Sequence, residues 1–169
     1  MPKPLIVDKP YPTTEDITPD CRALRIISPA YASSAGELNA TLQYIYHSIN
    51  FENKNKEEYA SVIEEIAIAE MTHLKLLGNT IYALGALPIY TAFPPAAFNF
   101  YSSKFVSYSC SLKNMLEDDI IAEKQAISSY ERMIERLRNQ KVKCIIERIL
   151  EDEKLHLKVF KELLAKLSD

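Results

Sequence analysis

Apolar residues recur at a 3-4-3-4 spacing through four long stretches, the period of helices that bury one face. In the first stretch the inward line reads Ala30, Ser33, Glu37, Ala40, Tyr44, His47, Phe51. In the second it reads Tyr59, Ile63, Ile66, Glu70, His73, Leu77, Thr80, Leu84. The third carries Leu116, Asp119, Glu123, Ala126, Tyr130, Met133, Leu137. The fourth carries Val142, Ile146, Ile149, Glu153, His156, Phe160, Leu163, Leu167. Four such stripes are the seams of an all-α four-helix bundle. Helix A is expected from Ser28-Pro29 to about Phe51, with serine as N-cap and proline at the first helical position. Helix B is expected over about 56–84, stopped by Gly85 with Pro88 behind it. Helices C and D are expected over about 112–138 and 141–167. The polar turns 52–55 and Asn139-Gln140 make A/B and C/D antiparallel hairpins. Residues 86–111, rich in proline, serine and aromatics, form the long B–C crossover, which makes B and C parallel. The aperiodic, Pro-rich residues 1–27 read as an extended strap ahead of a bundle over 28–169.

Polar residues interrupt these seams at one level. Glu70-Met-Thr-His73 and Glu153-Lys-Leu-His156 are both Glu-x-x-His. Three residues turn a helix by about 300°, so glutamate and histidine project from one face. Glu37 and Glu123 are the inward glutamates of the other two helices. A buried, unpaired carboxylate costs several kcal/mol, and four facing one another repel. Two divalent cations would offset them, with neutral imidazoles completing the coordination. The turns give an independent check, because residues equidistant from a hairpin loop share a level. The midpoint of Glu37 and Glu70 falls between Asn53 and Lys54, and that of Glu123 and Glu153 falls on Arg138. The halves also repeat one another: Glu37-x-x-Ala40-x-x-x-Tyr44 parallels Glu123-x-x-Ala126-x-x-x-Tyr130. Tyr44 and Tyr130 are placed for hydrogen bonds at the site or for one-electron donation, although plain packing explains them too. The alternative for the whole set is an amphipathic bundle whose acids face water. One Glu-x-x-His is a weak signal; two in register with two more inward glutamates are a strong one. His47 stands three turns from Glu37, too far to ligate with it, and is read as a buried polar residue or a peripheral metal site.

Composition narrows the function classes. At 169 residues and 19.3 kDa the chain makes one domain with tails. Only 3 glycines, with no G-x-G-x-x-G or P-loop, argue against nucleotide chemistry of those kinds. A net charge of −3 argues against nucleic acid as a partner. Cys21, Cys110 and Cys144 lie far apart, without a C-x-x-C. They suit a reducing cytoplasm and are expected as ordinary buried thiols. No signal peptide is expected in the first residues. The uncharged stretch between Lys75 and Lys104 is broken by Pro88, Pro94 and Pro95, so no membrane span is expected. The cluster Phe93, Phe98, Phe100, Tyr101, Phe105 and Tyr108 is expected to cover a bundle face or a dimer contact.

The segments GELNATLQYIYH in helix A and EMTHLKLLGNTIYALGALP in helix B carry a family resemblance. The chain resembles the ferritin-like superfamily of di-metal carboxylate proteins, and is similar to bacterioferritin and manganese catalases over roughly 28–167. The resemblance implies two Fe or two Mn ions held by Glu37, Glu70, His73, Glu123, Glu153 and His156, with Glu70 and Glu153 bridging. It implies a non-haem oxidoreductase acting on hydrogen peroxide or dioxygen by two-electron cycling of the metal pair, supplied by an unidentified electron donor. A ferroxidase or iron-handling protein, and a non-catalytic coat-type protein, are the alternatives. Asp152 matches a family aspartate that orients a metal-bound histidine across the bundle. Its counterpart in helix B is Ala69, so that support is missing on one side. Asp119, one turn before Glu123, is a partial substitute or a nearby acid that relays protons. The sequence ends 13 residues after His156, without the further helix of bacterioferritin, so a dimer is expected rather than a 24-subunit cage. No four-cysteine module is present, and Ala126 stands where rubrerythrin-like sites add a glutamate. Haem held through Met71 is not expected.

Overall fold

The computed structural model describes residues 2–167. Four long helices form the bundle: α2 (Glu37–Glu52), α3 (Glu57–Ala83), α4 (Leu112–Arg136) and α5 (Gln140–Leu167). A shorter α1 (Cys21–Ala32) precedes them. Helices α2 and α3 form one hairpin, α4 and α5 the other. The ends follow from local chemistry. Ser111 caps α4 by accepting from the Asn114 N–H, and Asn139 accepts from the Val142 N–H at the start of α5. Gly85, at φ +94°, closes α3: its N–H donates to the Tyr82 carbonyl and the Ala86 N–H to the Ile81 carbonyl. In the α2–α3 turn Asn55 takes the left-handed position, and the Lys56 N–H reaches back to the Phe51 carbonyl.

The beginning of helix A differs from expectation. Helix α1 starts instead at Cys21, capped by Asp20, whose side chain accepts from the N–H groups of Arg22 and Ala23. Ser28 is not a cap. It is buried inside α1, and its hydroxyl donates to the Leu24 carbonyl at 2.6 Å. Pro29 lies within the same helix. The chain breaks after Ala32 and restarts at Gly36, so Glu37 occupies the first turn of α2. A Cβ on Gly36 would stand 2.7 Å from the Ala30 carbonyl oxygen and 3.0 Å from that of Pro29. Only glycine lets the two helices approach this closely.

Two apolar clusters fill the bundle. One joins α1 to the ends of α3, α4 and α5, and includes Leu77, Tyr130 and Ile149. The other includes Tyr44, Ile66, Met115 and Phe160. Glu70, His73, Glu153 and His156 lie between them along α3 and α5. The crossover contains a 3-10 turn at Ser103–Phe105. It seals the bundle through Val106 and Tyr101, whose hydroxyl donates to Asn39 Oδ1. Phe93, Phe98, Phe100 and Tyr108 are more than half exposed, so these rings do not cover the bundle. Cys21 and Cys110 are exposed and Cys144 is partly so, contrary to the expectation of buried thiols. Among the described residues no helix is long and apolar enough to cross a membrane. Gly36→Ala is expected to destabilise the fold by about 1–3 kcal/mol, because the added methyl meets main-chain atoms that cannot yield. Gly78→Ala, where a Cβ meets the Tyr31 ring at 3.3 Å, is expected to be milder in the same thermal-denaturation comparison.

Candidate metal centre

Each hairpin delivers its charged side chains at one height. Glu37, Glu70, His73 and Glu153 bring ligand atoms within 4.8 Å of one another, and so do Glu70, Glu123, Glu153 and His156. Glu70 and Glu153 belong to both groups. All six residues are at most 3% exposed. His73 Nδ1 lies 3.1 Å from Glu153, 3.3 Å from Glu70 and 3.7 Å from Glu37. His156 Nδ1 lies 2.8 Å from Glu70 and 3.8 Å from Glu123. Both imidazoles thus face the carboxylates through Nδ1.

Glu123 Oε2 has no hydrogen-bond partner, while Glu70 Oε1 is met by His156 Nδ1 at 2.8 Å and Glu153 Oε1 by His73 Nδ1 at 3.1 Å. Buried polar atoms are normally satisfied, and oxygens left bare or facing an imidazole nitrogen at one point suit an ion with open coordination positions. Four carboxylates with two imidazoles are a donor set for divalent iron or manganese.

The tyrosines cross between hairpins. The Tyr44 hydroxyl of α2 donates to Glu123 of α4 at 2.7 Å, and the Tyr130 hydroxyl of α4 donates to Glu37 of α2. Burial and the adjacent carboxylates push both phenols well above their ordinary value, so both remain donors. Ile66, Ile149, Leu77 and Phe160 are fully buried and keep water from above and below. Asp119 does not join the cluster. It accepts from Gln43 Nε2 at 2.8 Å and pairs with His47 Nδ1 at 2.8 Å. His47 Nε2 donates to the Ser107 carbonyl, so this buried histidine ties the crossover to α2 and α4. Asp119 therefore does not substitute for the support missing at Ala69. Met71 is 43% exposed on the outer face of α3.

The outer nitrogens are held by groups the sequence pattern only half revealed. His73 Nε2 lies 3.0 Å from Asp152 Oδ2, across the bundle. His156 Nε2 lies 2.8 Å from the carbonyl oxygen of Leu5, in the N-terminal strap. Periodicity identifies side chains, and a backbone carbonyl has no residue signature.

A cavity of about 220 Å³ leads to the cluster between α2 and α4. Its outer lining includes the exposed Ser34, Ala35 and Gln125; its inner lining includes Glu37, Glu123, Tyr44 and Tyr130.

Protons partly neutralise the metal-free cluster. Burial first, then repulsion from Glu70, pushes Glu37 well above the ordinary carboxylate value. Burial and repulsion from Glu153 do the same to Glu123. Burial, with Glu70 and Glu37 nearby, pushes Glu153 up to about 8. Burial works to raise Glu70 as well, but hydrogen bonds from Glu37, His156 and His73 outweigh it and hold Glu70 well below. Both histidines are raised, since hydrogen bonds to carboxylates outweigh burial. Raised groups bind more protons folded than unfolded, so their stabilisation is present below the ordinary value and is lost as pH climbs through the raised one. Glu70 and Asp152, held low, lose theirs only as pH falls below the ordinary carboxylate range. Metal-free protein is therefore expected to lose thermal stability steadily from about pH 5 to about pH 8. Saturation with Mn²⁺ is expected to flatten that slope; a metal-free Tm that is constant or rises over the window contradicts this electrostatic account.

Comparison with known proteins agrees with this fold. The sequence matches the ferritin-like domain over residues 32–169. Among curated proteins none matches the sequence. The fold is similar to KatB, a manganese catalase from Anabaena, at a TM-score of 0.80 and 22% identity, covering 96% of this chain and 80% of that one. It is also similar to the Desulfovibrio desulfuricans bacterioferritin, whose structure holds a diiron site. There the TM-score is 0.72 and the identity 23%, covering 86% of this chain and 80% of the other. With a matched stretch that takes in all four long helices and the six converging side chains, the chain belongs to the ferritin-like family.

Proposed function

We propose that the protein is a non-haem di-metal oxidoreductase acting on hydrogen peroxide or dioxygen. The observation that carries this reading is a buried six-residue donor set whose ligand atoms converge in two groups sharing Glu70 and Glu153, reached by a cavity of about 220 Å³. A liquid water occupies about 30 Å³, so the cavity has ample room for dioxygen or hydrogen peroxide to reach the cluster. Two iron or manganese ions in this site would supply reversible two-electron exchange with such an oxidant.

In this reading Glu37 and His73 would hold one ion and Glu123 and His156 the other, with Glu70 and Glu153 available to both. The Tyr130 and Tyr44 hydroxyls orient Glu37 and Glu123 by donating to them. Because both phenols keep their protons, they also brace these carboxylates against swinging into the cavity. Glu153 takes up and gives back a proton near neutral pH in the metal-free protein, so metal loading releases protons. Ala40 and Ala126 line the cavity and leave room beside the cluster. The proposed assembly is a dimer rather than a 24-subunit cage.

Protein purified anaerobically from its native host is expected to carry about two iron or manganese ions per chain. Glu70→Ala and Glu153→Ala are each expected to lose most of that metal; full metal content in both variants would rule out the site. Rapid mixing of the loaded protein with peroxide is expected to show turnover. Metal retained with no turnover favours a coat-type role. Iron accumulating far beyond two per chain, in a large particle on size-exclusion chromatography, favours storage.

A further inference from the structure

The strap reaches the proposed metal centre from outside the bundle. The Leu5 N–H donates to the Glu65 carbonyl at 3.0 Å, and the Val7 N–H donates to Asp152 Oδ1 at 2.8 Å. Arg148, only 2% exposed, donates to the carbonyls of Val7 and Lys9. Its guanidinium also lies 4.4 Å from the centre of the Tyr11 ring. The Tyr11 hydroxyl donates to Asp152 Oδ2 at 2.6 Å and sits 3.1 Å from His73 Nε2. The Leu5 and Val7 contacts flank the Leu5 carbonyl and hold it at His156 Nε2, while Tyr11 serves His73.

A carbonyl oxygen can only accept, so His156 Nε2 must carry the hydrogen. A neutral ring then leaves Nδ1 bare, and Nδ1 is the nitrogen that faces Glu70 and Glu123. Asp152 sets the same tautomer in His73. Ala69, where an equivalent carboxylate for His156 would stand, is fully buried and carries no polar side chain.

We propose that the N-terminal strap is a positioning element of the metal centre: the Leu5 backbone carbonyl selects the His156 tautomer that presents Nδ1 to a metal ion. The inference rests on the six-ligand reading above. It makes the two ions unequal in their support, one relying on a side chain of α5 and the other on the main chain of the strap.

Zinc, which is diamagnetic, is the probe. Long-range ¹H–¹⁵N spectra of the zinc-loaded full chain are expected to show His73 and His156 protonated at Nε2 and bound through Nδ1. A His156 ring protonated at Nδ1 overturns the proposal. Deleting residues 2–8 removes the Leu5 carbonyl and keeps Tyr11. One of the two zinc sites is then expected to weaken about 10- to 100-fold while His73, which keeps Asp152 and Tyr11, stays protonated at Nε2 and bound through Nδ1. A folded deletion variant that binds both ions as tightly as the full chain overturns it. An ester in place of the Leu5–Ile6 amide weakens that carbonyl and spares every side chain. It is expected to shift the His156 Nε2–H resonance alone, and an unmoved resonance overturns the proposal even if the deletion variant does not fold. Tyr11→Phe is expected to disturb His73 and not His156, a separation that a strap serving only as cover would not produce; equal disturbance of both rings counts against it. If zinc binds as tightly to Glu70→Ala and Glu153→Ala, the six-ligand reading fails, and the strap inference fails with it.

Discussion

Four carboxylates brought together in the interior of the bundle set the conditions for the rest of it. Their mutual repulsion can be relieved only by protons or by cations. Without metal, burial and repulsion push Glu37, Glu123 and Glu153 toward the protonated form, while hydrogen bonds hold Glu70 low. Two divalent ions in place of protons would offset all four carboxylate charges and give the bare Glu123 Oε2 a partner. Apolar clusters on both sides, together with the crossed tyrosines, keep the carboxylates from escaping to solvent.

The approximate two-fold symmetry of the cluster does not extend to its surroundings. Tyr44 and Tyr130 repeat one another faithfully, each serving the glutamate of the other hairpin. The histidine supports do not. Asp152 faces His73, Ala69 gives His156 nothing, and a segment from outside the bundle fills the difference. Bound to the strap by the Val7 N–H, the Tyr11 hydroxyl and Arg148, Asp152 joins the strap to the cluster's electrostatics.

Helices α3, α4 and α5 were legible in the sequence to within two residues, because Gly85, Ser111 and Asn139 act as local stop and start signals. Glu70, His73, Glu153 and His156 were legible for a related reason: charged residues on an apolar seam stand out against it. Helix A was misread at its start. Ser28-Pro29 imitates a helix N-terminus, yet Ser28 satisfies its hydroxyl on Leu24 inside α1, while Asp20 is the true cap. The break before Glu37 was invisible because Ser33 and Glu37 keep a four-residue spacing across it. Contact between Gly36 and the carbonyls of Pro29 and Ala30 is a tertiary event that no local pattern encodes. The Leu5 carbonyl was out of reach for the same kind of reason, being main chain rather than side chain.

The interruption between α1 and α2 also decides how the interior meets the outside. Ser34, Ala35 and Gly36 form part of the cavity wall where an unbroken helix would have run on. The doorway is consequently built from a short connection as well as from the gap between α2 and α4. Lengthening or shortening that connection would retune permeability while the helical scaffold, and the charges it confines, stayed where they are.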